Sequence, residues 1–395
     1  MISDDNIHQT VDLWCDDKTK MFAHSQYGDI ADWDTSNVTN MKSLFNNKSC
    51  FNDNISRWDV SKVVDMSYMF KNAIVFDGDI GNWDVSQVRN MSFMFYFSET
   101  FNQNIGLWNV ARVTNMADMF NHAFSFNQDL SEWNVSQVTR MSFMFAYARN
   151  YCGQNIRKWD VTKVENMDSM FCGVSSFAED IGVWNVSNVR SMNSLFYGCE
   201  KFNSDIGQWN VSNVTSMNRT FRNAALFNQD IGKWIVSKVS DMKDMFRDAR
   251  KFNQNIGYWD VSSVYIMNNM FRRATAFDQN LASWDISSVV NKCDMFRDAV
   301  TIEKKFRSMK VPHVRSFFDE QFSHLDRTSR FIYFESFFAW DRRKAYIMFL
   351  VGLGYLPMSK KQSSAYPRIE NNRASSSCDA IFDMEDVSKY ICSFL

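Results

Sequence analysis

A tryptophan recurs every 25 residues through most of this chain, at Trp33, Trp58, Trp83, Trp108 and Trp133, and then, after one 26-residue step, at Trp159, Trp184, Trp209, Trp234, Trp259 and Trp284. A unit this short holds too few side chains to close a core of its own, so neighbouring units must share one, which calls for a stacked array. Function is then expected on an extended surface rather than in a cleft.

Other columns keep the same register. Counting from each Trp, an Ile or Leu stands three before, Val (once Thr, once Ile) two after, Val five after, Met eight after, Phe twelve after, usually Ala fifteen after and an aromatic eighteen after. The Val column from Val38 to Val289 and the Phe column from Phe45 to Phe296 are invariant. Side chains on a strand alternate, so Trp and the residue two later share one face of an extended segment. Beyond it the spacing changes: Val63, Met66, Met69, Phe70 and Ala73 recur at three to four residues, which predicts the apolar stripe of a short helix. Ser61, Ser86, Ser136, Ser187 and Ser212 stand where a helix N-cap is expected. Gly81, Gly106, Gly182, Gly207, Gly232 and Gly257, two before their Trp, are expected to permit a bend.

Each unit therefore reads as strand, cap, short helix and return loop. The expected fold is an α/β repeat, a right-handed β/α solenoid like a leucine-rich repeat, with about eleven 25-residue coils and helical caps. Strands stack at ~4.8 Å and helices at ~8–10 Å, so such an array curves with its strands on the concave face.

The boundaries follow from where the period runs. Residues 1–28 carry Val11, Trp14, Met21 and Phe22 among acids and lysines and read as an amphipathic N-terminal cap; 29–302 are the repeats. In the last unit Lys292 replaces the Met eight after the Trp, which suggests that burial ends there. Phe-rich residues 303–357 read as a helical C-terminal cap, Ser- and Lys-rich 358–379 as a flexible linker, and 380–395 as an amphipathic helix.

A hydrophobic content of 45% is ample for a long, thin core, and a net charge of −2 supplies no global attraction to nucleic acid or anionic lipid. The eight cysteines fall at unrelated columns without CxxC pairs, which argues for reduced thiols over a disulfide ladder or a zinc site. The acidic N-terminus has no apolar leader, and the apolar run from Ala345 to Pro357 is shorter than the ~20 residues a bilayer requires. A soluble, cytoplasmic or otherwise intracellular monomer is expected on these grounds.

The stretch Phe227 to Phe246, which reads Phe-Asn-Gln-Asp-Ile-Gly-Lys-Trp-Ile-Val-Ser-Lys-Val-Ser-Asp-Met-Lys-Asp-Met-Phe, closely resembles the BspA-like repeat family, also called DUF285. These are leucine-rich-repeat-like surface repeats of the kind found in mycoplasma and Listeria lipoproteins. The resemblance covers the repeat region and implies binding or adhesion rather than catalysis. It also implies a surface location.

Several columns are candidate sites. Just before each Trp the residue varies freely (Asp32, Arg57, Asn82, Leu107, Glu132, Lys158, Val183, Gln208, Lys233, Tyr258, Ser283), which suits recognition of one extended protein partner if the column faces the concavity; the plainer reading is a solvated edge. Thirteen after the Trp, Arg222, Arg247, Arg272 and Arg297 form a basic ridge that suits an acidic protein or a glycan. Asp244, Asp248, Asp294 and Asp298 stand close enough in sequence to neutralise it. Tyr68, Phe93, Tyr96, Phe97, Phe143 and Tyr147 lie outside the apolar stripe, either as an exposed interaction patch or packed between coils.

Asp or Asn follows the Trp in ten of eleven units, and another Asp/Asn column precedes the Ile. Calcium held between coils is one reading, and side-chain hydrogen bonds that fix each turn are the other. No nucleic-acid partner, metal site or cofactor is otherwise expected. The five histidines make no HExxH or paired spacing, and Gly352-Leu-Gly354 lacks a third glycine, so no enzyme is expected.

Overall fold

The computed structural model describes residues 2–302 apart from Ala282. The expected C-terminal cap, linker and final helix at 303–357, 358–379 and 380–395 lie outside the described residues.

Two helices open the chain, α1 (Ile7–Cys15) and α2 (Lys20–Tyr27). Ile7, Val11 and Trp14 of α1 are buried, and the Trp14 ring meets the first Trp of the array, Trp33, edge-on at 5.7 Å. Asp4 covers the open edge of the first coil by accepting from the backbone N–H groups of Thr39 (2.8 Å) and Asn40 (3.1 Å). Met21 and Phe22, expected to cap the core, are instead exposed (82% and 55%), because α2 turns only Ala23 inward.

The Trp-bearing units then stack coil on coil. One parallel bridge joins each to the next, seven residues after the Trp, in a line from Asn40 through Asp65, Asn90 and their equivalents to Asn291. In the unit of Trp83, Arg89 N donates back to Val64 O at 2.9 Å and Met91 N donates forward to Asn115 O at 3.0 Å. The sheet-like part of each coil therefore lies six to eight residues beyond the Trp. The Trp segment itself is extended (Trp159 φ −63, ψ 131) but takes part in none of these bridges, contrary to the strand expected there.

The expected helix is absent from the described coils. Residues nine to fourteen after each Trp form a run of tight turns, and every residue at ten and fourteen after the Trp has a left-handed backbone, with φ between 53 and 62 in the non-glycine residues and 74 in Gly173 and Gly198. The N–H groups divide their bonds by alternation. Those of Met91, Phe93, Phe95 and Phe97 donate to the next coil at 2.9–3.0 Å, while those of Met94, Tyr96 and Ser98 close turns onto carbonyls three residues back.

A helix would use all these N–H groups within its own unit and would hold neighbours ~8–10 Å apart. Here the Phe rings twelve after the Trp stack at 5.4–6.1 Å from coil to coil. The helical reading failed because successive tight turns return side chains to the interior every three or four residues, as a helix does. The supposed N-cap serines are turn residues: Ser61 N donates to Asp59 Oδ1 at 3.0 Å. Curvature deduced from helices outside and strands inside loses its premise as well.

Three aromatic columns and the aliphatic ones between them make one continuous core. Trp rings stack at 6.1–6.5 Å, and the aromatics eighteen after the Trp at 5.8–6.1 Å. Burial does not end at Lys292: Met295, Phe296, Ala299 and Ile302 beyond it are also buried. On the return side, asparagine side chains bond successive coils together, with Asn102 Oδ1 accepting from Asn127 N at 2.9 Å and Asn228 Oδ1 from Asn253 N at 2.8 Å. The extra residue of the 26-residue step is absorbed around Gly153 (φ 84) and left-handed Asn155, ahead of a 3-10 turn at Ile156–Lys158.

The glycines two before the Trp do not adopt a left-handed bend. A Cβ at Gly81, Gly182 or Gly207 would lie 2.0–2.5 Å from the backbone oxygen of Asn104, Asp205 or Asp230 in the following coil. Their role is close approach of one coil to the next.

Candidate binding surfaces

The variable residues before the Trp occupy corners. In the unit of Trp83 the turn is closed by Trp83 N donating to Ile80 O at 3.2 Å, with Asn82 at its apex. Arg57, Asn82, Leu107, Glu132, Lys158, Gln208, Lys233 and Tyr258 are all exposed, Leu107 and Tyr258 by 85% and 86%. The stack brings them into one row along a turn edge, not onto the bridged sheet. Across adjacent coils Arg57 pairs with Asp32 at 2.9 Å.

The bridged face was not singled out by sequence. It holds a shallow groove of about 560 Å³ whose charged lining is Lys163, Glu165, Arg190 and Lys238, among threonines and asparagines. Lys163 Nζ donates to Gln137 Oε1 at 2.7 Å and Lys238 Nζ to Asn213 Oδ1 at 2.8 Å. Reading the columns four and six after the Trp as one outward face would have exposed this surface.

Both Asp/Asn columns spend oxygens on their own backbone. After the Trp, Asp59, Asn134 and Asp260 each accept from the N–H two residues on at 3.0–3.1 Å; before the Ile, Asp79, Asp205 and Asp230 accept from the glycine N–H at 2.9–3.1 Å. Hydrogen bonds from the side chain and then the backbone of Ser61 hold the Asp59 carboxyl below the usual carboxylate value, and Thr162 does the same for Asp160. Among the described residues no group of three or more His, Cys, Asp or Glu is placed to hold a metal ion.

On the turn-run face the aromatics pack between coils. Tyr68 stacks on Phe93 at 4.6 Å and Phe97 on His122 at 4.1 Å, so they are mostly half-buried, with Phe143 exposed by 39%. His122, two coils from Cys172, is followed at 4.7 Å by Tyr147, and burial, reinforced by Arg149, lowers its pKa. Burial pushes the thiols of Cys172 and Cys199 up, away from the thiolate form, and no disulfide joins the six cysteines among the described residues.

Further along the same face lie the arginines. Asp244, with its side chain only 2% exposed, meets Arg247 Nη1 at 3.1 Å, Arg219 Nε at 3.6 Å and Arg222 Nη1 at 3.9 Å. Arg297 is half-exposed and pairs with Asp294 at 3.2 Å, while Arg272 makes no ion pair among the described residues. Arg219 was missed by reading single units; its signal is the Arg219–Asp244 pair in one column, 25 residues apart.

No helix among the described residues is long and apolar enough to cross a membrane. Among solved structures the chain is similar to a leucine-rich repeat protein from Eubacterium ventriosum, at 11% identity over 67% of this chain and 81% of that one, TM-score 0.33. It is also similar to the TLR13–ssRNA13 complex (8% identity, 67% and 48% coverage, TM-score 0.17) and to the functional domain of InlJ from Listeria monocytogenes (10% identity, 59% and 58% coverage, TM-score 0.17). No curated protein matches it. A family model described as a mycoplasma protein of unknown function, DUF285, matches residues 16–108, 83–154, 150–250 and 227–331, and so passes through every Trp of the array. Both the shared core columns and this continuous match lead to one assignment: the chain belongs to the DUF285 family of repeat proteins.

Proposed function

We propose that the protein is a non-enzymatic scaffold, a right-handed solenoid that recognises one extended protein partner along the row of turn corners before the tryptophans. One observation carries this reading: eleven successive positions of differing chemistry, from Asp32 to Ser283, are all exposed and are held in register by coils bonded to each other through their backbones. Invariant buried columns set the spacing while the corner residue is free to vary. A rigid row of this kind binds without having to order its own side chains' supports, which lowers the entropic cost of association. Exposed Leu107, Val183 and Tyr258 supply apolar and aromatic contacts among charged neighbours, the mixture that interface centres use.

The test is affinity capture with the wild type and an Arg57/Glu132/Lys158/Lys233→Ala variant, followed by mass spectrometry. A protein partner captured by the wild type and lost by an equally stable variant supports the reading. Full retention of every captured protein by the variant removes it.

A further inference from the structure

The turn-run face of the last four coils carries an excess of positive charge that its own acids do not neutralise. Residues 218–226, 243–251, 268–276 and 293–301 hold nine lysines and arginines against four aspartates. One of those aspartates, Asp244, is buried and is spent on holding Arg219, Arg222 and Arg247 in place. Arg250, Lys251 and Arg272 make no ion pair among the described residues, and Arg250 and Lys251 are exposed. The Nε atoms of Arg222, Arg247 and Arg272 are buried without a hydrogen-bond partner, so packing fixes all three stems, and of these three guanidinium groups only that of Arg272 has no acid beside it among the described residues.

The spacing of this ridge is measured by the rings beside it. Phe221, Phe246, Phe271 and Phe296 each precede one of the four arginines and stack at 5.6, 5.6 and 5.4 Å. One arginine is therefore presented per coil at a regular, short pitch, a geometry suited to a chain with an oxyanion on successive units.

We infer that this ridge binds a linear anionic polysaccharide laid along the stack, with its carboxylate or sulfate groups on Arg272 and its neighbours. An extended sugar chain advances by about one residue per coil and offers hydroxyls to Asn223, Asn269 and Thr275 between the arginines. Single-stranded nucleic acid binds on aromatic stacking platforms, and these four segments contain no aromatic except the buried phenylalanines. An acidic peptide strand brings same-face side chains only every ~6.6–7 Å, wider than this pitch. The ridge lies away from the corner row, so the inference stands on the stack alone and not on the protein-binding reading.

The experiment measures binding of the full chain to heparin and polygalacturonate, with dextran, oligo(dT) and polyglutamate in parallel. The variant is Arg250→Gln/Lys251→Gln/Arg272→Gln, and the control removes the same charge from the bridged face, Lys62→Gln/Lys163→Gln/Lys238→Gln. Expected are salt-sensitive binding of the anionic polysaccharides, none of dextran, and affinity about ten-fold weaker in the ridge variant, as for three exposed ionic contacts, with the control within two-fold. If the triple variant melts early, Arg250→Gln/Lys251→Gln carries the test with a loss of about four-fold. Equal losses in ridge and control variants, tighter binding of oligo(dT) or polyglutamate, or no polysaccharide binding at all each overturn the inference. A corner variant that loses its protein partner yet keeps polysaccharide affinity separates the two surfaces.

Discussion

The indole Nε1 of Trp133 donates to the backbone oxygen of Ile105, 28 residues earlier and one coil back, at 3.0 Å. The same bond recurs from Trp58 to Trp284, at 2.8–3.3 Å, so each tryptophan both fills its own coil and fastens it to the preceding one. Trp133→Phe keeps an aromatic but removes the bond and part of the ring. A loss of about 2–4 kcal/mol is expected from cavity and hydrogen bond together, read as a lower urea midpoint. An unchanged midpoint would show that the bond does not couple the coils.

Gly182 has no room for a side chain, since its Cβ would stand 2.0 Å from Asp205 O in the next coil. Gly182→Ala must separate the two coils and is expected to destabilise by about 3 kcal/mol, the upper end of overpacking effects. At Gly198 (φ +74) the nearest atom is Gly173 Cα at 3.5 Å, so Gly198→Ala should cost only the left-handed backbone, about 1 kcal/mol. Chemical denaturation of the two variants ranks them; the reverse order would refute close approach as the role of Gly182.

Tyr151 stands where every other complete unit has Phe, is fully buried, and has a hydroxyl without a hydrogen-bond partner. Its ring stacks on Phe145 at 4.0 Å and needs no hydroxyl to do so. Tyr151→Phe should therefore stabilise the protein by roughly 1–3 kcal/mol, seen as a higher melting temperature. A lower one would mean that the hydroxyl is satisfied in solution.

Asp34, Asp59, Asp160 and Asp260 have carboxyl groups held below 3.8, first by the Ser or Thr side chain two residues on and then by its backbone N–H. A carboxyl with a lowered folded-state pKa contributes stability above its unfolded value that is lost as pH falls through the folded one. Changing all four to Asn keeps the acceptor and removes the titration. Melting should be somewhat lower than in the wild type at pH 7, where the charge-assisted part of these bonds is lost, and should decline less than in the wild type as the pH falls below about 5.

A calcium chelator should leave the melting transition where it is, because these columns already accept from backbone N–H groups. A downward shift with chelator, restored by calcium, would favour cation binding between coils instead.

The period from Trp33 to Trp284 was enough to predict a stacked array, because residues repeated at a fixed interval can share burial only with their own equivalents in the next unit. It also sorted interior from surface correctly at most columns, down to the exposed residue before each Trp. Which backbone carried those columns was not legible. Val63, Met66, Met69, Phe70 and Ala73 satisfy a helix and a chain of tight turns equally well, and the choice rests on where the N–H groups of Met66, Tyr68 and Phe70 find their partners, which is the next coil. Likewise Gly182 reads as a bend until Asp205 is seen against it, and Asp244 reads as surface charge until three arginines, two from the preceding coil and one from its own, close over it. Sequence sets what repeats and which side is apolar; contacts between residues 25 apart belong to the stack, and only the tertiary structure decides them, because backbone bonding between coils outweighs the local preference of each unit.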